Sequence, residues 1–481
     1  MKKTLMTCMA IAVLFAVASS ASAITCTIDQ RPAATLLVPY FEATFAPDGS
    51  PLGTGANARD TLVTICNASS APMLAHVNVF NERTELVLDF NIALTGFDCQ
   101  SMSMGRVLSG FLPATPVTTA HVAATADACQ RNGAAGVYSP PTVTGEYLRI
   151  RPVDTATPLD NTLATTLYPQ PAWPVGSDFA FGVLDSLDET DDSVACGGVD
   201  RTITNPVRGY ITIDHANYCN LSNPNDPNYY LRDAIGMENN LFGEVIFTSG
   251  TGIPTMGGST VNIEADPSLA GDVTSSPRVR TFYARYVGTD VLCSPGNCAL
   301  FASNPWNQGI GDQREPLGLK YAARWFNTSG VTSNFNVWRS SSGSLTDLLD
   351  GGDCDTIEPV VTLTFFDEDE NTVTSGVCPS PCTQPSFNFE LETQRRSISS
   401  FAGSIPSFAA GWVSMNFFNG SAPNGGRLDQ AWVEYDFQGP GAFLSASTPA
   451  TQLDPSNCNP LLVTGVAPIA PVIPTVVGTG P

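Results

Sequence analysis

Short runs in which apolar and polar residues alternate recur along the chain, and they constrain its fold more than any other feature. Every second residue from Met73 to Val79 is apolar, and residues 281–287 alternate in a similar way. A two-residue period is typical of a half-buried β-strand, because successive side chains point to opposite faces. Further predicted strands cover residues 146–151, 178–184, 210–214, 243–247, 322–326, 334–339, 360–366, 387–391, 411–418 and 431–437.

Turn-forming residues bound these runs, and no window keeps a helical period for three turns with caps. The 481 residues include 41 glycines and 37 prolines, which are spread along the whole chain. Many short strands joined by turns pack as sandwiches or barrels. The sequence therefore predicts an all-β fold of antiparallel β-sandwich domains with long loops.

Changes in local composition predict the domain boundaries. Residues 253–277 are rich in turn formers and follow a strand that could close a domain, so we place a boundary near residue 270. The predicted order is a signal peptide at 1–23, a β-sandwich domain at 24–270, a second β-sandwich domain at 271–460 and a Pro/Val/Gly-rich tail at 461–481.

The N-terminus has the pattern of an export signal. Lys2 and Lys3 precede an apolar run, and small residues lead to a cleavage position after Ala23. The apolar run is shorter than the roughly 20 residues that a membrane span needs, so we expect no transmembrane segment. The predicted location is secreted, whether periplasmic, on the cell surface or extracellular.

The cysteine count predicts several disulfides. Thirteen cysteines minus Cys8 of the signal leave twelve, an even number in an oxidising compartment. Cys293 and Cys298 flank a Pro-Gly pair that suits a type II turn, so we predict that they are bonded to each other. For the rest, pairing of neighbours along the chain predicts Cys26–Cys66, Cys99–Cys129, Cys196–Cys219, Cys354–Cys378 and Cys382–Cys458.

The charge balance excludes one class of partner. Lys and Arg number 22 against 45 Asp and Glu, and loss of Lys2 and Lys3 with the signal takes the net charge from −23 to −25. We expect no nucleic-acid binding, because no basic stripe exists to neutralise phosphates. An acidic surface instead favours divalent cations or basic partners. The expected partner is a cell-surface polymer or a protein.

Catalytic signatures are missing from the sequence. It contains no nucleophile elbow, no zinc-protease motif and no phosphate-binding glycine loop. His76 is expected to be half-buried and hydrogen-bonded, and His215 cannot pair with Asp214 because neighbouring residues of a strand face opposite ways. We therefore predict no catalytic residues and no cofactor other than calcium.

Paired carboxylates keep one enzymatic alternative open. Glu264 and Glu315 are the acids that we would assign to a hydrolase acting on polysaccharide, since such an enzyme needs two carboxyl groups. The competing interpretation is that these acids pair with arginines such as Arg314, whose planar guanidinium binds carboxylates bidentately.

Two acid-dense loops predict calcium binding. Calcium takes roughly six to eight oxygen ligands from carboxylates, amides and carbonyls. An EF-hand is excluded, because Thr372 stands where that loop requires glycine. The alternative is a solvated hairpin tip whose charges discourage edge pairing. The predicted calcium ligands are Asp350, Asp353, Asp355, Asp367, Asp369 and Asn371.

Several short segments together resemble an uncharacterised family of secreted bacterial hypothetical proteins. The resemblance implies export and one assembled unit, and it brings no activity, cofactor or catalytic residue. The segments are ATLLVPYFE (34–42), AHVNVFNE (75–82), LDFNIALTGFD (88–98), GYITIDHANYCNLSNPNDPNYY (209–230), IEADP (263–267), DQREPL (312–317) and FFDEDEN (365–371).

These observations favour a secreted or cell-surface non-catalytic β protein with a structural, adhesive or ligand-binding role. The alternative is the secreted carboxylate-dependent hydrolase. A third hypothesis is a carbohydrate-binding module that uses an exposed aromatic residue such as Trp306 or Trp412, because an indole ring can stack on a sugar.

Overall fold

The computed structural model describes a set of ranges that includes most of the predicted strands. These are residues 31–46, 51–55, 57–82, 84, 86–108, 115–116, 147–148, 206–217, 224, 229, 235–250, 254–265, 281–283, 314–328, 330–340, 362–369, 372–375, 392–401, 409–417, 430–439 and 447–453.

Antiparallel strands dominate these residues, as the sequence predicts. In the first half they are β1 (Thr35–Ala43), β2 (Arg59–Asn67), β3 (Met73–Asn81), β4 (Leu86–Leu94), β5 (Cys99–Ser103), β6 (Thr115–Pro116), β7 (Tyr147–Leu148), β8 (Val207–Ala216), β9 (Leu241–Ser249), β10 (Pro254–Ser259) and β11 (Val261–Ile263). In the second half they are β12 (Lys320–Phe326), β13 (Thr332–Ser340), β14 (Thr362–Asp367), β15 (Thr372–Ser375), β16 (Thr393–Ser397), β17 (Ala410–Asn416), β18 (Gln430–Gln438), β19 (Thr448–Pro449) and β20 (Thr451–Gln452). A short helix α1 (Met104–Leu108) follows β5, and a 3-10 helix (Ile398–Phe401) follows β16.

The strands of the first half form a sandwich. One sheet has the order β11-β1-β8-β3-β4 and the other has the order β10-β9-β2-β5. β1 and β3 lie inside the first sheet and are buried along almost their whole length, because the core covers one face and further chain covers the other. Apolar side chains from both sheets meet between them, among them Leu36, Val63, Ile65, Val77, Phe90, Ile211 and Val245.

The second half repeats the five-plus-four arrangement. Its sheets have the orders β15-β14-β17-β12-β20 and β16-β13-β18-β19. Trp325 and Val413 of the five-stranded sheet and Phe335 of the other sheet are fully buried in its core. Within the described residues, no helix has the length and apolar character to cross a membrane.

Aromatic side chains join the two sandwiches into one packed unit. Phe80 and Tyr210 of the first sandwich stack with ring centroids 4.7 Å apart. Tyr210 in turn meets Trp338 of β13 edge-on at 5.9 Å. Each described sheet takes its strands from one half of the chain alone. The domain boundary near residue 270 lies outside the described residues and stays a prediction.

Two details of the strand predictions are wrong. Thr281, Phe282 and Tyr283 do not extend as a strand, since Phe282 and Tyr283 form a turn that carries their rings into the interior. His76 is fully buried instead of half-buried, because the second face of β3 is covered by Tyr229, whose ring centroid is 5.6 Å from that of His76.

The disulfide pairing differs from the neighbour rule. Cys66 of β2 and Cys99 of β5 lie directly opposite each other in adjacent strands, with their Cα atoms 4.1 Å apart, and they are bonded. The predicted pairs Cys26–Cys66 and Cys99–Cys129 are therefore wrong, because strand register places a different partner beside each thiol. All other cysteines, including Cys293 and Cys298, lie outside the described residues, so the structure supports one disulfide where several were predicted.

Removal of this crosslink should destabilise the first sandwich. The bond closes a loop between residues 33 apart, and the chain-entropy relation assigns such a loop about 4 kcal/mol at 25 °C. We expect the Cys66→Ser/Cys99→Ser double variant to unfold at a lower urea concentration than the native chain. Non-reducing peptide mapping checks the pairing itself, and recovery of a Cys26–Cys66 peptide would contradict it.

Candidate functional site

A fully buried carboxylate lies where the two sandwiches meet. Asp214 of β8 belongs to a group of residues that are at most 1% exposed. Its Oδ1 accepts a hydrogen bond from the Thr35 hydroxyl and lies 3.2 Å from Nε of Arg314. Its Oδ2 accepts hydrogen bonds from the hydroxyls of Tyr229 and Tyr283, the latter at 2.7 Å. These five residues, Thr35, Asp214, Tyr229, Tyr283 and Arg314, are called the Asp214 cluster.

The cluster compensates the cost of burying two opposite charges. The Arg314 Nη2 donates to the Gly236 carbonyl at 3.0 Å, and its guanidinium carbon lies 5.6 Å from the centre of the Tyr283 ring. Each Asp214 oxygen has two partners, so the lone pairs of the carboxylate are occupied. Burial, followed by the neighbouring Asp214 charge, holds the pKa of Tyr283 well above its ordinary value. Tyr283 therefore remains a hydrogen-bond donor.

Hydrogen bonds extend the cluster into the sheet and across the junction. Asn78 of β3 donates to the Tyr229 hydroxyl at 2.9 Å. On the other side, Phe282 N donates to the Arg314 carbonyl at 3.1 Å. The Gln430 amide at the start of β18 then donates to the Phe282 carbonyl at 2.9 Å. A continuous chain of polar contacts thus runs from the first sandwich to the second.

A second ion pair, between a partly buried arginine and a buried aspartate, lies along the same junction. Arg395 of β16 forms a bidentate pair with Asp436 of β18, with both N–O distances 2.8 Å. Burial by itself lowers the pKa of Arg395, but the charge of Asp436 and that of Glu42 on β1 raise it above the ordinary value. On the same strand, the Thr393 hydroxyl donates to the Pro39 carbonyl, which links β16 to β1.

A buried carboxyl group completes the polar junction. Trp432 Nε1 and the Ser447 hydroxyl donate to Glu434 at 3.1 and 2.8 Å. Burial raises the pKa of Glu434 despite these two hydrogen bonds. The backbone N–H of Ser447 donates to the Gly257 carbonyl of β10 at 3.0 Å, so this contact also connects the sandwiches.

The two acids of the hydrolase alternative come together beside the Asp214 cluster. Ala265 and Arg314 form an antiparallel bridge, and the backbone N–H of Glu315 donates to the Glu264 carbonyl at 2.9 Å. Glu264 and Glu315 are therefore opposite each other on the face away from Ala265 and Arg314, and both are half-buried. Opposed residues of an antiparallel pair have Cβ atoms about 5 Å apart.

A narrow aromatic crevice opens next to Tyr283. Phe80, Tyr210 and Thr212 line it on one side, and Phe282, Tyr283, Trp338 and Ser340 line it on the other. It encloses about 240 Å³ of space between atoms, much of it continuous with solvent. Its enclosed part has room for about one water molecule.

The structure describes two of the six predicted calcium ligands. Asp367 ends β14, and its Oδ1 accepts the N–H of Asp369 at 2.9 Å in the following turn. Within the described ranges no three His, Cys, Asp or Glu side chains gather as a metal site would require. Asp350, Asp353, Asp355 and Asn371 lie outside those ranges, so calcium binding stays a prediction.

Sequence reasoning identified part of this site. Arg314 forms a structural ion pair, but with Asp214 on a distant strand, and the predicted pairing of Glu264 and Glu315 with arginines stays a prediction. Asp214 and His215 face opposite ways, as predicted: Asp214 contacts Arg314, whereas His215 Nδ1 lies 3.0 Å from Glu238 Oε2. The roles of Thr35, Tyr229 and Tyr283 were missed. An aspartate within the apolar run YITID was the one local signal of a buried polar centre.

Comparison with known proteins adds no further assignment: no family model, curated protein or solved structure matches the chain.

Loss of Arg314 should destabilise the protein strongly. The Arg314→Met variant leaves the Asp214 charge buried without its cation, and breaking such a pair costs about 3–5 kcal/mol. Arg324→Met is a matched control, because Arg324 and Glu368 form a pair whose side chains are 48% and 57% exposed. Exposed pairs contribute about 1 kcal/mol or less. Urea denaturation of both variants checks this prediction, and equal losses would contradict it.

The Glu238–His215 contact predicts an acid-dependent contribution to stability. The hydrogen bond from His215 lowers the pKa of Glu238 from 4.5 to about 2. Since the folded pKa lies below the unfolded one, the stabilisation is present above about pH 4.5 and is lost as the pH falls towards 2. Its size should be about 1 kcal/mol or less, because the Glu238 side chain is 60% exposed.

The Glu238→Gln variant tests this sign. The free energy of unfolding of the native chain should exceed that of the variant near neutral pH, and the difference should shrink between pH 4.5 and 2. Curves that stay parallel through this interval would show that the contact does not depend on the Glu238 charge.

Proposed function

We propose that the chain is a secreted or cell-surface β protein without catalytic activity, which acts by binding through its exposed surfaces in an adhesive, structural or ligand-binding role. The observation that supports this most is the Asp214 cluster. Its carboxylate has its acceptor positions occupied by buried residues of the protein itself. A catalytic carboxylate needs an accessible position for a substrate or a water.

Two further carboxyl groups at the junction support the same conclusion. Asp436 pairs with Arg395, and Glu434 accepts hydrogen bonds from Trp432 and Ser447, so both contact other parts of the chain. The enclosed part of the crevice beside Tyr283 has room for about one water molecule. In this proposal the interior chemistry of the described residues holds two sandwiches together, and recognition belongs to the outer faces and loops.

The acidic composition defines which partners suit those surfaces. A chain of net charge −23 before processing repels anionic polymers and attracts cations. Calcium at the acid-dense loops, with Asp367 and Asp369 at the β14–β15 turn, remains part of the proposal. In that role calcium would order loops and take no part in a reaction.

One observation favours the hydrolase alternative. Glu264 and Glu315 lie opposite each other across a backbone hydrogen bond of 2.9 Å. Retaining glycosidases hold their two carboxyl groups about 5–5.5 Å apart, which is near the spacing of opposed residues in an antiparallel pair. The alternative assigns one acid as nucleophile and the other as general acid.

A turnover assay separates the two functions. The mature chain is incubated with a panel of neutral and acidic polysaccharides, and new reducing ends are measured. We expect none above the buffer blank. Turnover that Glu315→Gln or Glu264→Gln abolishes, and that Glu244→Gln leaves intact, would establish the hydrolase instead. Glu244 is a suitable control because it is an exposed acid on β9, away from the Glu264–Glu315 pair.

A further inference from the structure

The outer face of the second sandwich differs from the buried junction in its burial pattern. Along β12 and β17, every second residue is buried and the residues between them are partly or fully exposed. β13, in the opposite sheet of the same sandwich, is buried at every position after the first. The five-stranded sheet therefore covers the core with one face and presents the other face outward.

Two aromatic rings stack on this outer face. Strand register sets Arg324 of β12 opposite Trp412 of β17, and Trp412 opposite Phe366 of β14. The rings of Trp412 and Phe366 are 3.8 Å apart between centroids and within 4° of parallel. Both side chains keep part of their surface exposed. This arrangement makes a flat-sided aromatic ridge on a rigid sheet, which is called the Trp412 ridge.

Polar side chains continue the same face beyond the ridge. The next row across the sheet contains Ser414 of β17 opposite Thr364 of β14, with the small Ala322 on the β12 side. Asn416 follows one row further, between Lys320 and Thr362. Neighbouring strands are about 4.8 Å apart and successive outward residues about 6.8 Å apart. Hydroxyl and amide groups thus recur in regular rows beside the ridge.

Charge on the face is balanced at the ridge. Arg324 Nη2 lies 2.7 Å from Glu368 Oε1, in the turn after β14. Arg324 lies on β12 and Glu368 directly follows β14, and these strands flank β17, so the ion pair spans the end of the sheet that carries Trp412 and Phe366. The ion pair offers both donors and acceptors without adding net charge.

We propose that the Trp412 ridge and the polar rows beside it bind a neutral polysaccharide chain. This proposal rests on the proposed non-catalytic binding function and names its ligand class. A sugar ring presents an apolar C–H face that stacks on an indole, and its hydroxyls bond to Ser414, Thr364 and the Arg324–Glu368 pair. A neutral polymer fits a locally balanced face on a strongly acidic protein, whereas an anionic polymer would be repelled. A lipid or an apolar peptide would remove these polar rows from water without offering them hydrogen-bond partners.

Affinity electrophoresis of the mature chain tests the proposal. The native gels contain hydroxyethylcellulose, galactomannan or soluble starch as neutral probes, and alginate or polygalacturonate as anionic probes. We expect retardation by at least one neutral probe and by neither anionic one. Trp412→Ala should raise the dissociation constant about tenfold or more, because a central aromatic contact dominates the binding energy of such surfaces.

Matched variants separate loss of binding from loss of folding. Trp412→Phe retains a stacking ring and should bind within about threefold of the native chain. Phe242→Ala removes an aromatic residue that is 39% exposed on β9 of the other sandwich, and it should leave binding unchanged. Circular dichroism of each variant verifies the fold.

Three results would overturn this proposal: no retardation by any neutral probe, preference for the anionic probes, or equal binding by folded Trp412→Ala. Each of these leaves the non-catalytic function standing, since that function fails only if reducing ends are released.

Discussion

The buried ion pair between Asp214 and Arg314 is the interaction on which the junction of the two sandwiches depends. A charge without solvent is costly, so each partner requires the other, and both require the surrounding hydroxyl and carbonyl groups. Arg314 also carries the backbone bridge to Ala265 and accepts the N–H of Phe282 through its carbonyl. Through its side chain and its backbone, Arg314 therefore couples the strands of the first sandwich to the aromatic residues that contact Trp338.

This junction and the outer sheet use polar residues in opposite ways. At the junction, Asp214 and Asp436 are buried, Arg395 is partly buried, and all three contact other parts of the chain. On the outer face of β12, β17 and β14, polar residues alternate with buried ones and lie beside a partly exposed aromatic pair. The buried contacts of the junction explain how the two sandwiches become one unit. The outer face is where binding is proposed, because polar and aromatic groups there share a sheet surface that is partly open to solvent.

Much of the strand content followed from local periodicity, and the failures have physical causes. β12, β13, β17 and β18 were predicted because each alternates or is rich in β-branched and aromatic residues. β1 was not, because a strand buried on both faces shows a continuous apolar run instead of alternation. Phe282 and Tyr283 have the composition of a strand but form a turn, since their rings are buried at the junction. Of the candidate site, Arg314 was predicted as a structural arginine, but its partner was not.

The sequence by itself determined the all-β class, the acidic charge and the outward position of Trp412, because period, composition and strand alternation are local properties. Tertiary structure alone decided which groups meet: Asp214 with Arg314, Cys66 with Cys99, Glu264 with Glu315, and Trp412 with Phe366. Each of these pairs depends on the register between strands that are distant along the chain. Register is set by the packing of the whole sheet, and a shift of one residue would turn every side chain of a strand to the opposite face.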